Sequence, residues 1–186
     1  MLSAVFLDRD GVINENRDDH VKSWREFRFL PGAPEALARL ASAGVRVFVV
    51  TNQAIINRGV LTRAAVEALN ERMMREVRSR GGLIEAVACC PHRPEEGCDC
   101  RKPGAGLLID LAQRHGIELH NAVLVGDALS DIEAGQTAGC RTVLVLTGRG
   151  RRELQRAAAA GKDGFMVASD LRAATELLLL PGVDGT

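Results

Sequence analysis

Ala4-Val5-Phe6-Leu7-Asp8-Arg9-Asp10-Gly11 is the stretch from which the rest of this chain can be read. Four apolar residues without interruption read as a buried strand. Two carboxylates follow, two residues apart. Successive side chains on a strand point to opposite faces, so Asp8 and Asp10 can share one side of its carboxyl end while Arg9 points away. Gly11 lets the backbone turn sharply beneath them. Two acids at the carboxyl end of a first, central strand suit a magnesium ion and a transferring phosphoryl group. Taken alone, Asp8-Arg9-Asp10-Gly11 reads better as a surface turn; the residues that recur further along the chain reverse that preference.

The 186 residues suit one compact domain, 1–186, with room for a sizeable core. Lys and Arg number 24, as do Asp and Glu, so no broad basic field exists to attract nucleic acid or an anionic membrane. The apolar start before Asp8 is too short for a signal peptide, and no later run is long enough to span a bilayer. A cytoplasmic, monomeric enzyme acting on a small molecule is the expectation. With no tyrosine, one tryptophan and five phenylalanines, base stacking is a poor candidate for the main activity.

Working outward, apolar strands alternate with helical patterns. Strands are expected at 4–7, 45–50, 83–89, 122–125, 142–146 and 165–167. Helices are expected from the Pro31-Gly32-Ala33-Pro34 opening to Gly44, from an N-cap at Thr62 to about Arg80, and over 106–115, 130–138, 151–160 and 171–180. Ser130 and Glu133 have the spacing of a capping box. Repeated β-α units with near-solid apolar strands imply a parallel sheet covered on both faces, a three-layer α/β/α Rossmann-like fold.

In such a sheet the site lies outside the carboxyl ends of the strands. After the second strand stands Thr51-Asn52-Gln53, a hydroxyl and two amides suited to phosphate oxygens. After the third, Arg101-Lys102-Pro103 places two cations just before a helix N-terminus. The fourth ends in Gly126-Asp127, with Asp131 four residues on. Each of these has an ordinary reading as a turn or a solvated charge. Their joint placement at four strand ends is what points to chemistry.

The ordered set Asp-x-Asp-Gly, Thr-Asn-Gln, Arg-Lys-Pro and Gly-Asp-x-x-x-Asp resembles the haloacid dehalogenase superfamily of aspartate-nucleophile phosphatases. With Phe6–Asn14, Arg58-Gly59, Cys90-Pro91-His92 and Cys98-Asp99-Cys100, it is similar to the D-glycero-D-manno-heptose 1,7-bisphosphate 7-phosphatase and histidinol-phosphatase group, a fold without a large cap domain. The resemblance implies Asp8 as nucleophile and Asp10 as general acid and base, protonated near neutrality to begin the reaction. It implies Mg²⁺ on Asp8, the Asp10 carbonyl and Asp127, with Thr51, Asn52 and Lys102 around the phosphoryl oxygens. Asn16, Asp19, Gln53, Arg58 and Arg101 are the expected substrate contacts, and Asp131 lies behind the metal. The chain departs from the group's pattern at Ile55, where a glycine is usual, and in its short His92–Cys98 loop.

The cysteines have a logic of their own. Cys90 and His92 are two apart in an extended segment, and Cys98 and Cys100 repeat that spacing after a loop. Three thiolates and one imidazole make a closed tetrahedral Zn²⁺ site over residues 90–100, structural because no position stays open. Cys89 is the alternative to Cys90, and Cys140 is expected as a buried core thiol. Three functions compete: hydrolysis of the 7-phosphate of a heptose bisphosphate in nucleotide-activated heptose synthesis, hydrolysis of histidinol phosphate or another small phosphomonoester, and a non-catalytic zinc-stapled binding module.

Overall fold

A computed structural model describes residues 2–180; residue 1 and residues 181–186 of the expected domain lie outside the described residues. The elements run β1 (Ala4–Leu7), α1 (Ala33–Ser42), β2 (Arg46–Asn52), α2 (Arg63–Ser79), β3 (Ala86–Cys90), α3 (Gly106–His115), β4 (Ala122–Gly126), α4 (Leu129–Ala138), β5 (Arg141–Val145), α5 (Gly150–Ala159), β6 (Met166–Ala168) and α6 (Leu171–Leu178). The six strands form one sheet in the order β3-β2-β1-β4-β5-β6. All neighbours are parallel, so each connection needs a crossover, and the helices supply it. β1 sits between β2 and β4, and the strand order reverses around it, which puts Asp8 at the switch point.

The period-2 alternation sorts the core into two layers. Val5, Leu7, Val47, Val49, Val123 and Val125 face α1, α2 and α6 through Leu37, Leu40, Met73 and Leu171. Ala4, Phe6, Phe48, Val50 and Leu124 face α3 and α4 through Leu108, Leu111 and Ala134, with Cys140 buried among them as expected. Phe6 and Phe48 pack with ring centroids 5.6 Å apart. No helix among the described residues is long and apolar enough to cross a membrane, and no large cap is inserted among them.

The differences from the expected elements are short and have local causes. β2 runs on through Thr51 and Asn52 because they pair with Cys89 and Cys90 of β3. β3 starts at Ala86 rather than residue 83, and Leu83 is exposed. β5 and β6 are displaced by one residue, one towards the N-terminus and one away from it. The Ser130–Glu133 capping box does not form: α4 starts at Leu129, and Asp131 instead accepts the Ala128 N–H at 3.0 Å. Thr62 caps α2 as expected, accepting from the Ala65 N–H. Ile55 is fully buried, and its carbonyl accepts the Val60 N–H, so this position serves packing and a turn.

Candidate active site

Asp8 extends the β1–β4 ladder by one step, its N–H donating to the Val125 carbonyl at 3.0 Å. By alternation its side chain goes to the α3–α4 face, where three other charges meet it. Lys102 Nζ lies 2.9 Å from Asp8 Oδ1 and 2.6 Å from Asp131 Oδ1, and donates to the Val50 carbonyl at 2.7 Å. Carboxylate oxygens of Asp8, Asp127 and Asp131 lie within 4.8 Å of one another. Burial first, then the other acids against the pull of Lys102, raises the Asp8 carboxyl to about 6. Burial together with Asp8 and Asp131 pushes Asp127 up to about 8. Burial works against the Lys102 ammonium, yet Asp131 and Asp8 outweigh it and hold its pKa above the ordinary value.

Three acids against one cation leave excess negative charge in a desolvated place, and a divalent cation fits that need. Asp131 is already engaged through both oxygens, one with Lys102 and the other with the Ala128 N–H. Asp8 and Asp127 remain, Asp127 being anchored through one oxygen by the Arg149 N–H at 2.8 Å. Two glycines make room for it. A Cβ on Gly11 (φ +92°) or on Gly148 (φ +55°) would lie 2.1 Å from Asp127 Oδ2.

Asp10 departs from expectation. Both its oxygens are occupied: Arg9 donates at 2.9 and 3.1 Å, Asn14 at 2.7 Å and Gln53 at 2.8 Å. Burial raises this carboxyl, but the Arg9 charge and these hydrogen bonds prevail and hold it below the usual carboxylate range. It is therefore ionised here, not protonated. Arg9 does run to the α2 face as alternation requires, donating to Asn70 at 2.9 Å, yet its guanidinium returns to Asp10. Arg9, Asn14 and Asn70 are buried. Sequence reasoning missed all three, because the reach of a long side chain is not written in strand spacing.

The zinc ligands come together. Among Cys90, His92, Cys98 and Cys100, five of the six pairs of Sγ and Nδ1 atoms lie 3.2–3.6 Å apart, and all lie within 4.8 Å. A point equidistant from four corners with such edges lies roughly 2 Å from each, the length of Zn–N and nearly that of Zn–S bonds. These residues could hold zinc. Cys89 is excluded, since its thiol accepts from Asn70 on the other face of β3. Burial first, then the neighbouring thiols, pushes Cys90 up to about 12, so that thiol needs a cation beside it to become a thiolate ligand.

Above the acids opens a cavity of about 730 Å³. Of the expected substrate contacts, Asn16, Asn52, Arg58 and Arg101 line it and Asp19 does not. Asp19 is turned outward to Arg17 and Lys22. Asn52 gives both side-chain atoms to the Lys102 backbone, at 3.0 and 3.1 Å, and so clamps the loop that carries that cation. Gln53 is buried beneath the floor, donating to Asp10 and, at 3.0 Å, to Thr51. Arg101 donates to the His92 carbonyl at 3.0 Å, which ties the cavity wall to the zinc loop. His20, Arg149 and Arg156 also line the cavity. Arg149 and Arg156 were not foreseen, since an arginine after the fifth strand carries no signal of its own.

A parallel sheet whose central strand ends in an acid pair, with a buried lysine and further acids arriving from neighbouring strands, defines a hydrolase of the haloacid dehalogenase type. Residues 5–75 match the family model described as haloacid dehalogenase-like hydrolase, and residues 99–174 match the one described as HAD-hydrolase-like. The chain is 40% identical over 178 residues to the D-glycero-beta-D-manno-heptose-1,7-bisphosphate 7-phosphatase of Bordetella bronchiseptica, spanning 96% of this chain and 98% of that protein. It is 41% identical over 180 residues to the enzyme of the same name from Pseudomonas aeruginosa, spanning 95% and 98%. The crystal structure of D,D-heptose 1,7-bisphosphate phosphatase from B. bronchiseptica complexed with magnesium and phosphate superposes with a TM-score of 0.89 at 42% identity, over 95% of this chain and 98% of that one. The chain belongs to the haloacid dehalogenase-like hydrolases, in the family of the heptose 1,7-bisphosphate 7-phosphatases.

Proposed function

We propose that this protein is a Mg²⁺-dependent phosphatase that removes the 7-phosphate of D-glycero-D-manno-heptose 1,7-bisphosphate through an aspartyl-phosphate on Asp8. The observation that carries this is the meeting of Asp8, Lys102, Asp127 and Asp131 under one cavity, in a chain 40% identical to such enzymes. Mg²⁺ would be held by Asp8, the Asp10 carbonyl and Asp127, and when bound it offsets the repulsion between an anionic nucleophile and an anionic substrate. Asp8 attacks phosphorus as the P–O bond to the sugar breaks. Asp10 delivers a proton to the departing oxygen, then takes one from the water that hydrolyses the intermediate. The ionised Asp10 of the free protein has to gain that proton first, and an arriving phosphoryl dianion, a like charge beside it, favours the gain. Thr51, fixed by Gln53, and Lys102 serve the equatorial oxygens.

Charge favours a bisphosphate over histidinol phosphate. Among the described residues five cations line the cavity, whereas Asp18 is the only lining acid outside the catalytic cluster. Asp19, a candidate for an amine, is engaged elsewhere. We therefore expect kcat/KM for the heptose bisphosphate to exceed that for histidinol phosphate at least about tenfold, or 1.4 kcal/mol of transition-state binding. Equal or reversed constants in the unmodified protein would transfer the assignment to the amine substrate. A cytoplasmic monomer without nucleic-acid or membrane partners completes this reading, supported by the balanced net charge. Sedimentation giving twice the chain mass would correct the monomer.

A further inference from the structure

Four of the five cations lining the catalytic cavity are already committed. Lys102 holds Asp8 and Asp131, Arg101 the His92 carbonyl, and Arg156 pairs with Glu153 at 2.8 Å. Arg58 lies 3.2 Å from His20 Nε2. Arg149 alone among the five makes no side-chain hydrogen bond or ion pair among the described residues, and it is exposed. Its root is nonetheless fixed. The N–H of Arg149 binds Asp127, and the preceding Gly148 packs so tightly that an added Cβ would come within 2.7 Å of the Gly11 Cα. A fixed root and an uncommitted guanidinium suit an anion-binding arginine, because binding breaks no contact the side chain already makes and the planar fork is pre-organised for a phosphoryl group.

Its surroundings name the ligand. His20 adopts φ +62°, a left-handed conformation that a non-glycine residue rarely takes and that costs about 1–2 kcal/mol. There its ring meets Arg58 at the cavity wall. Burial, then the charges of Arg58 and Arg149, depress the His20 pKa, so the ring is the neutral partner on which Arg58 rests. Both arginines line this one cavity, Arg58 through its contact with His20 and Arg149 from its fixed root beside Asp127. Two like charges lining one cavity are each better placed when a multivalent anion sits between them. Lys102 and the acid cluster serve the reacting phosphoryl group, and neither arginine side chain makes a hydrogen bond or ion pair with them among the described residues.

We infer that Arg149 and the His20-supported Arg58 form a second phosphoryl subsite, which takes the non-reacting phosphate of the bisphosphate and sets the preference for two-phosphate substrates. The inference rests on the proposed bisphosphate activity and adds to it the residue that reads the second phosphate.

The test is the ratio of kcat/KM for heptose 1,7-bisphosphate to kcat/KM for heptose 7-phosphate, which has the reacting group but lacks the distal one. Replacing the side chain keeps the N–H that serves Asp127, so Arg149→Ala retains the metal centre's backbone anchor. In Arg149→Ala the ratio falls at least about tenfold, through a raised KM for the bisphosphate, as loss of a charge-assisted contact requires. Arg149→Lys recovers part of it, and His20→Ala lowers it by a smaller factor because Arg58 keeps its charge but loses its support. A ratio in Arg149→Ala equal to that of the unmodified protein overturns the subsite, even if both constants drop together. A ratio near one in the unmodified protein instead overturns the bisphosphate reading, and the subsite with it.

Discussion

Asp8 and Lys102 are the two ends of one buried ion pair, yet their removal should have opposite effects on the fold. Asp8→Asn deletes the proposed nucleophile, so turnover should fall by several orders of magnitude. It also removes one of three crowded carboxylates, the one raised to about 6, so the metal-free variant should melt no lower than the unmodified protein. Lys102→Ala leaves Asp8 and Asp131 buried without their cation, and should cost about 3–5 kcal/mol of stability as well as activity. Thermal melts with kcat measurements separate the two; substantial turnover in Asp8→Asn would end the proposed mechanism. At this scale Asp8 and Asp127 were legible because each directly follows a strand, and Lys102 because Arg101-Lys102-Pro103 stands shortly before a helix. The ionisation of Asp10 was not, because Arg9, Asn14 and Gln53 reach it through side-chain conformations that residue order does not encode.

At the scale of the element, the segment between β3 and α3 has little apolar burial of its own: Pro94, Glu95, Glu96 and Gly97 are exposed. Its order has to come from the three thiols and one imidazole, and metal analysis should return about one zinc per chain. Stripping zinc, or Cys98→Ser, should lower the melting temperature and loosen Arg101 and Lys102, whereas chelating Mg²⁺ should stop turnover reversibly with the fold intact. Full stability without zinc would mean the cluster has another use. β2 carries a pH-sensitive link at its other end, where Arg46 donates to Glu85 at 2.6 and 2.8 Å. The hydrogen bond from Arg46 holds the Glu85 carboxyl below its ordinary 4.5. A depressed acid stabilises the fold above its unfolded pKa and ceases to as pH falls through its folded one. Both partners are partly exposed, so Glu85→Gln should cost only about 0.5 kcal/mol at neutral pH, and denaturant melts should show the difference closing below about 4.5. Most elements were legible within a residue or two, because apolar runs and caps such as Thr62 are local. The capping of α4 was misread because Ser130 and Asp131 compete for one task and only the strand before them decides between them.

For the whole molecule, the fold rests on a sheet whose central strands are buried on both faces. Leu124 in β4 is fully buried in the α3–α4 layer. Leu124→Ala should cost about 2–5 kcal/mol in chemical denaturation. Because that layer also carries Lys102 and Asp131 to Asp8, kcat should fall only where the variant begins to unfold. A loss of kcat at full stability would show the layer tuning the site directly. The sequence by itself determined the parallel α/β class, the strand ends at which charged and polar side chains gather and the four residues of the Cys/His cluster, since these depend on apolar periodicity and short spacing along the chain. Only the tertiary structure decided that Asp131 serves Lys102, that Asn52 clamps a loop, that Asp19 faces away from the cavity and that Arg149 faces into it. Those facts depend on which side chains from distant strands arrive at one point and which charges are left uncompensated there, and no local pattern of residues records that sum.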